Sequence, residues 1–208
     1  MITLSYSTLF MLHGDSHNWI NKQMGIKQEE RDYFERGKAA HALIQAHVSG
    51  EKKLEELAHI ERSFPVVEKK DFDPATKFEF SPKDGYTIVG WADGLNRDEE
   101  SILEIKTSST LLWTIGKFKQ SMQRKIYSIG FPWSKRAILI TCKNQLIDGK
   151  LQKPKVMELE QTDQDKKEAF EWIEAGIKIL ENGPFDGGLV DGKCINKWCT
   201  YGKNCHFK

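Results

Sequence analysis

The spacing of hydrophobic and polar positions changes period several times along the chain. Over 28–50, QEERDYFERGKAAHALIQAHVSG, residues Tyr33, Phe34, Ala40, Leu43, Ile44 and Val48 recur at helical intervals, and Gly50 ends the run. Shorter helices are predicted over 6–12, 17–23 and 51–64. The period then falls to two. Strands are predicted over 65–73 and 76–81, followed by a β-hairpin over 86–95 and 101–108. A helix is expected over 112–130, a buried strand over 135–142 and a further strand over 155–160. The last helix spans 162–183, with Thr162 placed to cap its first turn. This order predicts an α/β fold with a mixed central sheet covered by helices. One domain over 1–208 is expected. It comprises an N-terminal segment (1–27), a core (28–185) and a Gly- and Cys-rich tail (186–208) that packs on the N-terminal segment.

Composition narrows the class. The 208 residues are 39% hydrophobic and 29% charged, which suits a globular domain with its own core. No apolar run reaches the roughly 20 residues needed to span a bilayer. The first residues, MITLSYSTLFMLHGDSHNWI, show no basic segment leading into a long apolar one, so a cytoplasmic location without membrane attachment is expected. The net charge of +1 conceals a basic stretch at 116–125 and an acidic one at 96–101.

Within the hairpin, GWADGLNRDEESILEIKTSS carries charge where apolar residues are expected. Strand alternation puts Leu103 and Ile105 on one face and Ile102, Glu104 and Lys106 on the other, while Val89, Trp91 and Asp93 share a face. A half-exposed hairpin with a surface Glu/Lys pair would account for the charges. Val89, Trp91 and Ile102 on the charged faces argue for interior strands instead. An even-length loop, such as one at Asp98-Glu99, or a bulge sets Asp93 opposite Glu104 and Trp91 opposite Lys106. Directly opposed residues have Cβ atoms roughly 4.5–5.5 Å apart. Two carboxylates that close repel, and a divalent cation between them removes the conflict. A cation, an activated water and a lysine that stabilises growing negative charge are the parts of phosphodiester hydrolysis.

These residues resemble the motif of the PD-(D/E)XK nuclease superfamily, with Asp93 as its aspartate and Glu104-Ile105-Lys106 as its (D/E)-x-K. Two further stretches resemble the RecB-like branch, which includes RecB-type exonuclease domains and the Cas-four-type nucleases of CRISPR adaptation. In RGKAAHALIQ, His41 takes the place of a metal-binding histidine. In QRKIY, Gln123 and Tyr127 match a Q-x-x-x-Y motif whose helical face meets DNA and the active site. His47 and His59 match no motif and are read as structural. The resemblance implies a restriction-endonuclease-like core and Mg²⁺ or Mn²⁺ held by His41, Asp93 and Glu104. It further implies catalysis by Asp93, Glu104 and Lys106. Lys117, Lys119, Arg124 and Lys125 flank the Gln/Tyr pair and could contact phosphates.

The tail CINKWCTYGKNCHFK resembles the cysteine cluster of the iron–sulfur members, Cys199 and Cys205 fitting its spacing. It departs from that pattern in two ways. Asn196 stands where a cysteine is expected, with Cys194 two residues earlier. The N-terminal segment offers His13, Asp15 and His17 in place of a cysteine. An iron–sulfur cluster with one non-cysteine ligand, a zinc site of three cysteines with His17, His13 or His206, and no metal at all remain open readings. The fourth cysteine, Cys142, falls in a predicted strand as a small buried hydrophobe.

The resemblance implies a metal-dependent deoxyribonuclease, an exonuclease acting on single-stranded DNA or DNA ends, with CRISPR adaptation or recombination proteins as partners. A non-catalytic nucleic-acid-binding or assembly protein of the same fold is the alternative. Phage defence, CRISPR adaptation and replication or repair are all open as settings.

Overall fold

The computed structural model describes residues 1–14, 16–27, 32–48, 73–143, 146, 155–182, 189–190 and 193–194. The predicted helix over 51–64, all but the last residue of the predicted strand over 65–73, and most of the Cys-rich tail lie outside them.

The elements in chain order are β1 (Ile2–Ser5), α1 (Tyr6–Gly14), α2 (Ser16–Gln23), α3 (Asp32–Val48), β2 (Asp73–Lys83), β3 (Tyr86–Asn96) and β4 (Ser101–Ser108). They continue with α4 (Leu111–Lys119), α5 (Met122–Gly130), β5 (Arg136–Lys143), β6 (Lys155–Glu160) and α6 (Asp163–Asn182), then a short ribbon of β7 (Leu189–Val190) and β8 (Lys193–Cys194). Strand pairing runs β1-β3-β4-β5-β6, with β2 also on β3. The β1/β3 and β4/β5 pairs are parallel, and the β3/β4 and β5/β6 pairs antiparallel. This is the mixed α/β architecture expected from the order of periods. No described helix is long and apolar enough to cross a membrane.

Two compact units share the chain. One comprises Met1–Arg31, Phe80–Val89 and Phe170–Lys208, the other Asp32–Glu79 and Gly90–Ala169. In the first, β1 pairs in parallel with Tyr86–Val89, and the His13 ring stacks on Trp172, 4.4 Å between centroids. Strand β1 was not foreseen in the sequence. Four residues are too few to show a period, and their partner lies more than eighty residues away.

The second unit is built on β4. Ser101 through Ile105 are all buried, the pattern of a strand covered on both faces. Leu103 and Ile105 pack with Ala40 and Ile44 of α3 and with Ile138, Ile140 and Cys142 of β5. The Cys142 thiol is fully buried, and burial pushes its pKa up to about 12. It behaves as the small core hydrophobe its strand position suggested.

Two expectations change here. The predicted helix over 112–130 is two helices, because Ser121 adopts the extended conformation of an N-cap (φ −67°, ψ 124°). Serine favours such positions over helix interiors. Trp91, expected on a covered face, is 55% exposed.

Arg124 also departs from its expected role as a phosphate contact. It is buried, and its guanidinium grips Asp165 of α6 through two bonds of 2.8 and 2.6 Å. Its other contacts are the carbonyls of Lys119 and Glu160. Lys125 beside it is ion-paired to Glu168. These cations hold α5 to the start of α6, leaving Lys117 and Lys119 on the exposed surface of α4. Asp165 also closes a capping box: the Thr162 hydroxyl accepts from the Asp165 amide, and the Asp165 carboxylate accepts from the Thr162 amide, both at 3.1 Å.

Removing one partner of a buried pair strands the other charge, so Arg124→Ala is expected to cost about 3–5 kcal/mol, read from urea unfolding. The pair also carries a pH signature. Burial pushes the Asp165 carboxyl up, but the bonds from Arg124 and Thr162 more than offset this and hold it below its usual range. A carboxylate held low stabilises the fold above its unfolded pKa of about 3.9 and loses that contribution as pH falls through the folded value. The advantage of the wild type over Asp165→Asn should therefore shrink on acidification below about pH 4.

Candidate active site

The hairpin register puts Gly94 opposite Leu103, Leu95 opposite Ile102 and Asn96 opposite Ser101, closed by a four-residue loop. Asn96 Oδ1 accepts from the Glu99 amide at 2.9 Å, and Glu100 takes a positive φ of 49°. The ladder ends at the Gly94–Leu103 pair, and just beyond it Asp93 comes close enough to Glu104 for their charges to interact. There the Ile105 amide donates to Asp93 Oδ2 at 2.7 Å, so the aspartate side chain takes a main-chain donor of β4.

Asp93, Glu104 and Lys106 line one open cavity of about 620 Å³ together with His41 of α3 and Gln123 of α5. Glu104 is nearly fully buried and is satisfied on both oxygens. Its Oε1 meets the Lys106 ammonium and accepts from Gln123 Nε2 at 3.0 Å. Its Oε2 accepts from the Tyr127 hydroxyl. Gln123 Oε1 accepts from Lys106 Nζ at 3.0 Å, and Gln123 Nε2 also donates to the Tyr127 hydroxyl at 2.8 Å. Residues 123 and 127, one helical turn apart, thus clamp the carboxylate from one face of α5. Tyr127 is itself fixed from behind. Its ring meets the edge of Phe78, 6.0 Å between centroids. The Phe78 ring in turn occupies the space a side chain would need at both Gly90 and Gly130, where an added Cβ would lie within 2.4–2.5 Å of it.

Burial, reinforced by the Glu104 charge, raises Asp93 from 3.8 to about 7, against the opposing pull of the Ile105 amide and Lys106. Burial lowers the pKa of His41 despite the nearby Glu104 charge, which keeps its imidazole neutral and its lone pair available at pH 7. Tyr127 is pushed well above its usual value by burial, then by the Glu104 charge, so it stays a hydrogen-bond donor.

Among the described residues, no group of three or more His, Cys, Asp and Glu is arranged to hold a metal ion. The donor set nevertheless fits a hard divalent cation in part. His41 Nε2 and Asp93 Oδ1 lie 3.6 Å apart. That is too long for a hydrogen bond and within the about 4.2 Å spanned by two donors each about 2.1 Å from one ion.

Two supporting residues were not read from the sequence. Gln45 Nε2 donates to the Asp93 carbonyl at 3.0 Å, and its position four residues after His41 on the same helical face is a signal that could have found it. Thr107 Oγ1 donates to the Gly37 carbonyl at 3.4 Å, tying β4 to α3. The role of Phe78 had no such signal, since it depends on glycines at 90 and 130. Of the tail residues considered for a second metal, Cys199 and Cys205 lie outside the described residues, as do the side chains of Cys194 and His17. His13 bonds the Trp172 carbonyl at 2.8 Å.

Several solved structures share this fold. SSO0001 superimposes with a TM-score of 0.59 at 18% identity, over 88% of this chain and 78% of that one. The alkaline exonuclease LHK-Exo from Laribacter hongkongensis gives 0.51 at 15% identity, over 86% and 88%. A protein from Eubacterium rectale assigned as an exonuclease gives 0.56 at 12% identity, over 86% and 80%. No family model and no curated protein matches the sequence.

Proposed function

We propose that this chain is a divalent-metal-dependent deoxyribonuclease of the RecB-like PD-(D/E)XK type, acting exonucleolytically on single-stranded DNA or DNA ends. One observation carries this reading: His41, Asp93, Glu104, Lys106 and Gln123 converge on a single open cavity, although up to 82 residues separate them in sequence. The exonuclease fold of the similar structures supports it.

His41, Asp93 and Glu104 would hold Mg²⁺ or Mn²⁺. When bound, the cation would supply Lewis acidity toward the phosphodiester and make a coordinated water more acidic. Gln123 and Tyr127 hold the Glu104 carboxylate in place. Lys106 Nζ stands at the cavity between Glu104 and Gln123, where its charge can stabilise a phosphorane-like transition state and steer the attacking water. Lys117 and Lys119 would contact the DNA backbone from α4. Recombination or CRISPR adaptation proteins would then be partners that supply or receive the DNA.

Linear and covalently closed single-stranded DNA of the same sequence, incubated with the full chain and Mn²⁺, test the exonuclease reading. Loss of the linear form alone, with nucleotides released from one labelled end, is the expected result and gives the polarity. Nicking of the circle at a comparable rate would assign an endonuclease instead.

A further inference from the structure

Among the described residues, the large exposed hydrophobics Met1, Ile2, Phe10, Met24 and Phe170 all belong to the first compact unit. Trp91 is the exception. It stands 55% exposed in the unit that carries the candidate active site, while Ala92 and Leu95, further along the same strand, are buried. An indole left in water on a strand forgoes the burial that favours such residues in sheets. The Trp91 carbonyl is held 3.0 Å from the Tyr127 hydroxyl, whose single proton it shares with Glu104. The indole is therefore carried on a main chain fixed one hydrogen-bonding residue away from the candidate catalytic carboxylate and two residues before Asp93.

We propose that Trp91 is a stacking platform for an unpaired nucleobase next to the bond to be cut, selecting single-stranded DNA at this site. The inference rests on the nuclease reading above and deepens it. Aromatic faces hold successive bases of single strands without regard to sequence, because every base offers a π-face. A base within a duplex is stacked on its neighbours and has no such face free, so a platform here favours single strands and frayed ends. A main chain held at its carbonyl limits the ordering cost of presenting the ring.

The test is binding of a fluorescein-labelled single-stranded oligonucleotide by anisotropy in EDTA, using the full-length protein, Trp91→Ala and Trp91→Phe. An all-abasic strand of equal length and a duplex serve as parallel ligands, and cleavage with Mn²⁺ is measured alongside. Trp91→Ala is expected to weaken single-strand binding by about tenfold or more. Trp91→Phe should recover most of that loss, and abasic and duplex binding should change less than about twofold. Equal affinity of Trp91→Ala and wild type for the single strand would overturn the inference. So would a loss of the same size on the abasic strand, which would mark a structural role. If the wild type cleaves DNA while either overturning result holds, only the platform fails. If folded wild type neither binds nor cleaves, the nuclease reading fails and takes the platform with it.

Discussion

Lys106→Ala is expected to slow metal-dependent DNA degradation by about a hundredfold to a thousandfold while leaving the protein folded. The size follows from losing one positioned charge aimed at a transition state. The specificity follows from the surroundings of Lys106. Its side chain is 41% exposed, so truncation opens no core cavity. Glu104 keeps the Gln123 and Tyr127 bonds after the lysine is gone, so the carboxylate is not left without donors. Lys106→Arg should recover little, because a planar guanidinium cannot reproduce a compact ammonium lodged between a carboxylate and an amide oxygen. The comparison is of initial rates at saturating Mn²⁺, with matched thermal melts. A Lys106→Ala protein that degrades DNA as fast as wild type would remove the lysine from the mechanism.

Asp93→Asn is expected to stabilise the metal-free protein at alkaline pH and to abolish its response to metal. The sign follows from the raised pKa. A carboxyl whose folded value lies near 7, against 3.8 ordinarily, is protonated in the folded chain where the unfolded chain is ionised. Its contribution is fully present below the unfolded pKa and is lost as pH rises through the folded one. The wild type should therefore lose ground to the asparagine variant between about pH 4 and pH 7 and hold a constant deficit above that. Full ionisation across that interval corresponds to at most about 4 kcal/mol, which for a chain of this size is at most roughly 8–16 °C in Tm. Asparagine can keep the acceptor for the Ile105 amide, so the main-chain link should survive. Millimolar Mn²⁺ at pH 8 should raise the Tm of the wild type and leave the variant unmoved, since only the wild type offers a second anionic donor beside Glu104. A deficit that does not change with pH would contradict the raised pKa that burial, reinforced by the Glu104 charge, gives Asp93.

Much of this site was visible in the sequence because the chemistry broke local patterns. Charges at 93, 104 and 106 stand on strands whose neighbours are apolar, and an even-length loop or a bulge is all the hairpin needs to bring Asp93 opposite Glu104. Gln123 and Tyr127 were legible as one helical face. What depended on distant partners was not. A helical wheel marks Arg124 as one basic residue among several, and nothing local says that Asp165, forty-one positions later, will bury it. The break at Ser121 has no signature in the hydrophobic spacing, which continues through it, although it makes Met122–Gly130 a separate helix. Trp91 was read as covered because tryptophans on strands usually are, and its exposure became apparent only in the folded chain.

The central claim is that the cavity between α3, β4 and α5 cuts DNA with a divalent cation. Its most direct test is degradation of end-labelled linear DNA, single- and double-stranded, with Mn²⁺, with Mg²⁺ and with EDTA, by wild type and Asp93→Ala. The account predicts degradation with either metal, none in EDTA, and none in the variant under any condition. Degradation that persists in EDTA or in Asp93→Ala, or wild-type protein that is folded yet inert with both metals, would contradict it.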